Sequence, residues 1–190
     1  SLTRPFMNSY LNIDGTPYSE KHSNGVYKTF LEETTGRDLR LNQTIRAYDY
    51  KRTNANGAKE ASIPNFSYSL TGYHVTKYTI PDAAYDVYGA NNNDMPVMRY
   101  AEALLNYAEA KAELGSLTDK DWEKTIGALR ARAGITGGLK TLPAVVDQTF
   151  QSTYFPNVED PIILEIRRER SIELCLEGFR MKDLRRWARA

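Results

Sequence analysis

A single cysteine, Cys175, in 190 residues leaves no disulfide framework and no cysteine-based zinc cluster. Long apolar runs are missing as well: nothing reaches the roughly 18 residues of a membrane span, and the mean hydropathy is −0.56. Excess charge of one sign is absent, with 25 Lys and Arg against 24 Asp and Glu, a net charge of +1. Nucleic acid is therefore not expected as a partner, because phosphate binding needs a basic surplus. There is no Gly-x-Gly-x-x-Gly and no phosphate-cradling Gly-Lys-Ser/Thr loop. Histidine is scarce: His22 and His74 stand alone, without a second His or Cys at ligand spacing, and read as solvated or structural. Cys175 lies between Leu174 and Leu176 on a helical run and reads as a small packed hydrophobe rather than a nucleophile. Loop carboxylates (Asp14, Asp82, Asp86, Asp94) are available, but no spacing singles out the pair a glycosidase needs. No catalytic residue, metal ligand or cofactor site is expected.

Tyrosine is what the chain has in excess. Of 13 Tyr, ten fall in residues 1–95, and Asn divides similarly, ten against two. Composition thus changes near residue 95, predicting a loop-rich Tyr/Asn portion over 1–94 and a helix-hairpin portion over 95–190, together parts of one domain. The run to Arg189-Ala190 still reads as helix, so the chain is expected to be a fragment of a longer protein.

In the second portion, Asp94 and Pro96 offer an N-cap and a first-turn proline. Val97, Ala101, Leu104, Leu105, Ala108 and Ala112 then recur at helical spacing to Gly115. Thr118 and Asp121 form a capping-box-like start for a second helix, with Trp122, Ile126, Leu129 and Ala133 inward and Gly134 at its end. The short loop between the two predicts an antiparallel hairpin. Asp160-Pro161 opens a third helix running to Glu177-Gly178, and Met181–Arg189 a fourth. The fold expected is mainly α, tetratricopeptide-like helix hairpins with a partly extended N-terminal portion. Residues 66–80, rich in β-branched and aromatic types, favour extended structure, and Asp14-Gly15 a hairpin-type turn. The eight basic and seven acidic side chains of 159–190 balance, predicting ion pairs such as Glu165–Arg168 and Arg170–Glu173 that cover the third helix.

Tyr68, Tyr73, Tyr78, Tyr85 and Tyr88, near Asn91–Asn93, suggest a sugar site. Aromatic faces stack on the C–H face of a sugar ring while Asn and hydroxyl groups bond its hydroxyls. Tyr68, Tyr73, Tyr85, Tyr88 and Asn92 are the candidate ligand-binding residues. Loop tyrosines half-buried for packing alone are the alternative.

Several segments together resemble the SusD/RagB family: Arg37-Asp38-Leu39-Arg40-Leu41, Met98-Arg99-Tyr100-Ala101-Glu102-Ala103-Leu104-Leu105-Asn106-Tyr107-Ala108-Glu109-Ala110, Ala128-Leu129-Arg130-Ala131-Arg132-Ala133-Gly134, Ile166-Arg167-Arg168-Glu169-Arg170 with Glu173-Leu174 and Glu177-Gly178-Phe179-Arg180, and Asp183-Leu184-Arg185-Arg186-Trp187. Leu39 stands where the family usually has Pro. The resemblance implies the C-terminal part of a non-enzymatic, lipid-anchored glycan-binding protein at the outer-membrane cell surface. Its partners would be a glycan and a SusC-like TonB-dependent transporter, and its lipid anchor would lie outside this chain. An interaction scaffold, or a peptide-binding lid on the same transporter, is the alternative. The alanine- and arginine-rich motifs are then scaffold.

Overall fold

Short helices, not strands, build the beginning of the chain. The computed structural model describes residues 2–22, 29–90 and 92–187. It opens with α1 (Arg4–Ser9), α2 (Tyr18–Lys21), α3 (Phe30–Thr34) and α4 (Leu39–Thr44). α3 begins with a Thr29/Glu32 capping box, and α4 begins where the Asp38 carboxylate accepts from the Arg40 backbone N–H at 2.9 Å. The Asp14-Gly15 turn forms with Gly15 at φ +87°. A side chain there would also meet the Gly137 carbonyl at 2.6 Å, so glycine is needed twice over. The turn joins no hairpin; Asn12 instead makes an isolated bridge to Arg37.

The expected extension of residues 66–80 does not occur. Gly72 and Tyr78 adopt positive φ, which breaks the run, and Val75 alone bridges to Ile45. The one sheet among the described residues pairs β1 (Lys51–Thr53) antiparallel with β2 (Lys59–Ala61), Arg52 opposite Glu60. Asn54 pins its turn by accepting from the Asn56 and Ala58 backbones. A 3-10 turn at Ala83–Tyr85, capped by Asp82, follows.

The second half is helical, as its patterning predicts. α5 (Tyr100–Glu113) starts later than Asp94-Pro96 suggests. Met95, Val97 and Met98 stay exposed, Val97 by 98%, so a helix there would bury nothing. Arg99 is extended instead, which carries its guanidinium to Glu173 and Glu177. α6 (Asp119–Trp122), a π-helical turn (Glu123–Gly127) and α7 (Ala128–Arg132) continue one another behind the expected Thr118/Asp121 box. A Cβ on Gly127 would sit 2.0 Å from the Leu139 carbonyl oxygen, so only glycine admits that strap. α8 (Gln148–Tyr154), capped by Asp147, occupies the segment between the hairpins. α9 (Pro161–Glu173) opens on Asp160-Pro161 but stops before Glu177, where Leu176 and Gly178 take positive φ. α10 (Arg180–Trp187) closes the described fold.

α9 and its cap feed every core cluster. Ile166 and Leu174 pack with Ala101, Leu105, Ala108, Trp122, Ile126 and Leu129; Ile172 packs with Met7, Tyr10, Leu41, Ile45 and Tyr73; Leu164 packs with Phe150, Phe155 and Trp187. A helix enclosed on several sides cannot leave its charges in water, which corrects the expectation that ion pairs cover it. They lie inside, with Glu169 0% and Arg168 1% exposed. Arg40 donates to Glu169 at 2.5 Å and Glu173 at 2.8 Å, and Arg130 to Glu169 at 3.0 Å and Glu165 at 2.5 Å. Arg168 holds Glu165 as expected, but Arg170 pairs with Asp183 at 2.8 Å rather than with Glu173. Burial alone would raise the Glu173 carboxyl; the Arg40 charge and the Arg99 hydrogen bond prevail and hold it at about 2.

Candidate functional site

A strand and three loops of the first portion enclose a cleft of about 380 Å³, walled by Arg46, Tyr50, Arg52, Tyr68, His74 and Asp86. Tyr50 and Arg52 flank one residue of β1, so the two-residue period sends both side chains to one face. Tyr68 sits in a turn closed by Asn65, whose carbonyl accepts from the Tyr68 N–H at 3.1 Å and whose side chain accepts from Ser67 at 2.8 Å. The Tyr68 ring lies 5.8 Å from the His74 ring.

Polar groups complete the walls. His74 Nδ1 accepts from the Asn65 backbone N–H at 3.3 Å, which assigns the ring proton to Nε2. Burial, then the Arg46 and Arg52 charges, lower the His74 pKa, so the ring is neutral at pH 7. Arg52 donates to the Asp82 carbonyl at 3.0 Å and to the Asp86 carboxylate. The Arg46 backbone donates to the His74 carbonyl at 2.8 Å, its Nη1 donates to Ser62 Oγ at 2.9 Å, and its guanidinium stands 5.5 Å from the Tyr50 ring centre. Aromatic faces, donors and a carboxylate therefore converge on one concavity, the arrangement that holds a ligand with apolar faces and a polar rim.

The sequence candidates separate. Tyr68, 78% exposed, lines the cleft. Tyr85, in the Asp82-capped turn and next in sequence to the wall residue Asp86, is half-exposed and forms no part of the wall. Tyr88 and Asn92 are exposed but form no part of the wall, and Asn91 lies outside the described residues. Tyr73 requires correction as a stacking platform: it is 4% exposed, and its hydroxyl donates to the buried Glu33 carboxylate at 2.6 Å. It packs because Met7, Tyr10, Leu41 and Ile45 need an aromatic lid. His74, read as solvated or structural, is a wall residue. Arg46, Tyr50 and Arg52 are wall residues that the sequence does not single out: Tyr50 and Arg52 stand two apart at the start of β1, but nothing local ties them to Arg46 or His74.

Other concavities carry less. One of about 430 Å³ between α1 and the end of α9 is mainly apolar, with Phe6, Leu174, Cys175, Phe179 and Met181. Burial raises the Cys175 thiol there to about 11, which keeps it protonated. Another, of about 420 Å³, includes Asp147 and Arg168, which pair with each other. Among the described residues no cluster of His, Cys, Asp or Glu could hold a metal ion, and no helix is long and apolar enough to cross a membrane.

Helix hairpins and a separate loop-borne cleft with polar and aromatic walls define a tetratricopeptide-like helical fold. More particularly, the chain belongs to the SusD family, whose model matches residues 1–190. A solved SusD-like carbohydrate binding protein from Bacteroides fragilis NCTC 9343 is similar in structure, with 27% identity and a TM-score of 0.61. The similarity covers 96% of this chain and 34% of that one, so this chain spans about a third of its length. No curated protein matches the sequence.

Proposed function

We propose that this chain is the part of a cell-surface glycan-binding protein that supplies the Tyr68 cleft. The carrying observation is the cleft itself: the Tyr50 and Tyr68 rings beside His74, Arg46 and Asp86. A sugar ring would lie against Tyr68, its hydroxyls bonded by the Nε2–H of His74 and the Asp86 carboxylate. The carbohydrate-binding relative supports the same reading. Delivery to a SusC-like TonB-dependent transporter and attachment through a lipid anchor outside these residues belong to the same proposal, as does a binding rather than catalytic role. Titrating the protein, in the length its cell makes, against plant, host and microbial polysaccharides tests it. Saturable binding that Tyr68→Ala weakens about tenfold, with unchanged melting, is expected; binding indifferent to Tyr68 overturns the assignment to this cleft.

One feature favours a second reading, a surface for protein partners. Met95, Val97 and Met98 before α5, and Tyr100 at its first position, are large apolar side chains left exposed. Co-purification with the transporter, lost when Val97 and Met98 become Ser, would support it.

A further inference from the structure

We infer that the Tyr68 cleft selects an acidic sugar, a residue carrying a carboxylate or sulfate oxyanion, with Arg46 as its cationic partner. This rests on the glycan-binding reading above and narrows its ligand class.

Arg40, Arg130, Arg168 and Arg170 each meet at least one carboxylate at hydrogen-bond distance. Arg46 meets none among the described residues. Its Nη1 is held by two neutral acceptors, the Ser62 hydroxyl at 2.9 Å and the Ile63 carbonyl at 3.5 Å, and its Nε is buried without an acceptor. Its Nη2 has no acceptor among the described residues either. Arg46 lines the concavity with its charge unpaired by any carboxylate, so an oxyanion arriving there can accept from its guanidinium in place of solvent.

The remaining charges of the cleft do not compensate. Asp86 is the one acidic wall residue, and it already engages Arg52, which also bonds the Asp82 carbonyl. His74 is kept uncharged, its ring proton on Nε2. Arg46 and Arg52 against Asp86 leave the walls themselves one positive charge in excess; the Asp82 carboxylate, outside the walls, acts on Arg52 rather than on Arg46. Lys51, Lys59 and Glu60 on the neighbouring sheet are exposed or at its rim, where salt screens them. A neutral sugar would satisfy the Tyr68 face but leave that charge unanswered. A uronate carboxylate or a sulfate ester would answer it with a charge-assisted hydrogen bond from Arg46 while its ring stacks on Tyr68.

The test titrates the full-length protein with a set of paired polysaccharides: polygalacturonate against its methyl ester, a sulfated galactan against its desulfated form, and a neutral glucan. Preference for a charged member of a pair, weakening as salt rises from 50 to about 300 mM, is expected. Whether the uronate or the sulfate pair responds names the source of the oxyanion. Arg46→Gln lowers affinity for the charged polymer about tenfold or more and removes both the preference within each pair and its salt dependence, whereas Arg46→Lys retains a substantial part of the preference. Equal affinity for charged and uncharged members overturns the inference while leaving glycan binding intact. Absence of binding to every polymer removes the glycan reading itself, and this inference with it. The wild-type pairs and their salt dependence decide the matter even if a variant fails to fold.

Discussion

The buried helix α9 and the exposed cleft use the same residue types to opposite ends. Around α9, Glu165, Glu169 and Glu173 meet Arg40, Arg130 and Arg168, and Glu169 serves two arginines at once. Every charge in this cluster is answered, so it has no capacity left for a ligand. In the cleft, Arg52 is answered by Asp86 but Arg46 is not, and the Tyr68 ring is open to solvent. Saturation marks scaffold, and residual capacity marks a place where something else binds. Counting Arg and Glu in the sequence does not distinguish the two.

The sharpest way to break this contrast is to remove a saturating group. Glu169→Ala leaves Arg40 and Arg130 each short of a carboxylate inside the protein and costs about 3–5 kcal/mol by urea unfolding, because an uncompensated buried charge is the expensive outcome. A cost below about 1 kcal/mol would show that the cluster is weakly coupled and erase the distinction.

A comparison of two tyrosines comes next. Tyr73→Ala empties a core position and strands Glu33, costing about 3–4 kcal/mol in stability. Tyr68→Ala stays within about 0.5 kcal/mol of wild type and acts on binding instead. Equal losses of stability at both positions would move Tyr68 into the scaffold.

The smallest effect is a dependence on pH. Glu173 titrates at about 2 in the fold against 4.5 as its ordinary value, and Glu165 is lowered as well. A lowered carboxyl stabilises the fold above its unfolded pKa and stops doing so as the pH falls through its folded pKa. Stability should therefore decline between pH 4.5 and about 2, and Glu173→Gln should flatten that stretch of the profile.

Much of the helical scaffold was legible because its signals are local. Thr118 with Asp121 and Asp160 with Pro161 cap their helices as their spacing requires, and Trp122, Ile126 and Leu129 turn inward together. Asp94-Pro96 carried an equally good local signal and was overridden, since the helix starts only where Ala101 finds a core to enter. α8 was missed because Gln148–Tyr154 has little apolar rhythm, although Asp147 is a fair cap. Of the cleft, Tyr68 was legible as an aromatic in a loop. Arg46, Arg52 and His74 come together only through tertiary contacts such as the Arg46–His74 backbone bond, and no spacing encodes those. Tyr73 was misplaced for a related reason: from its neighbours alone it cannot be told from Tyr68.

The grip of Arg40 on Glu169 and Glu173 also sets the order of assembly. The partners are 129 and 133 residues apart in the chain, so synthesis delivers the arginine long before either acid. At about 5–20 residues per second the wait is on the order of ten seconds, far longer than the microseconds in which a helix forms. During that interval Arg40 and Asp38 have only each other, and α4 has no α9 to rest on. The core shared by Met7, Tyr10, Leu41 and Ile172 therefore cannot close until α9 has been made, and completing it means closing that long loop.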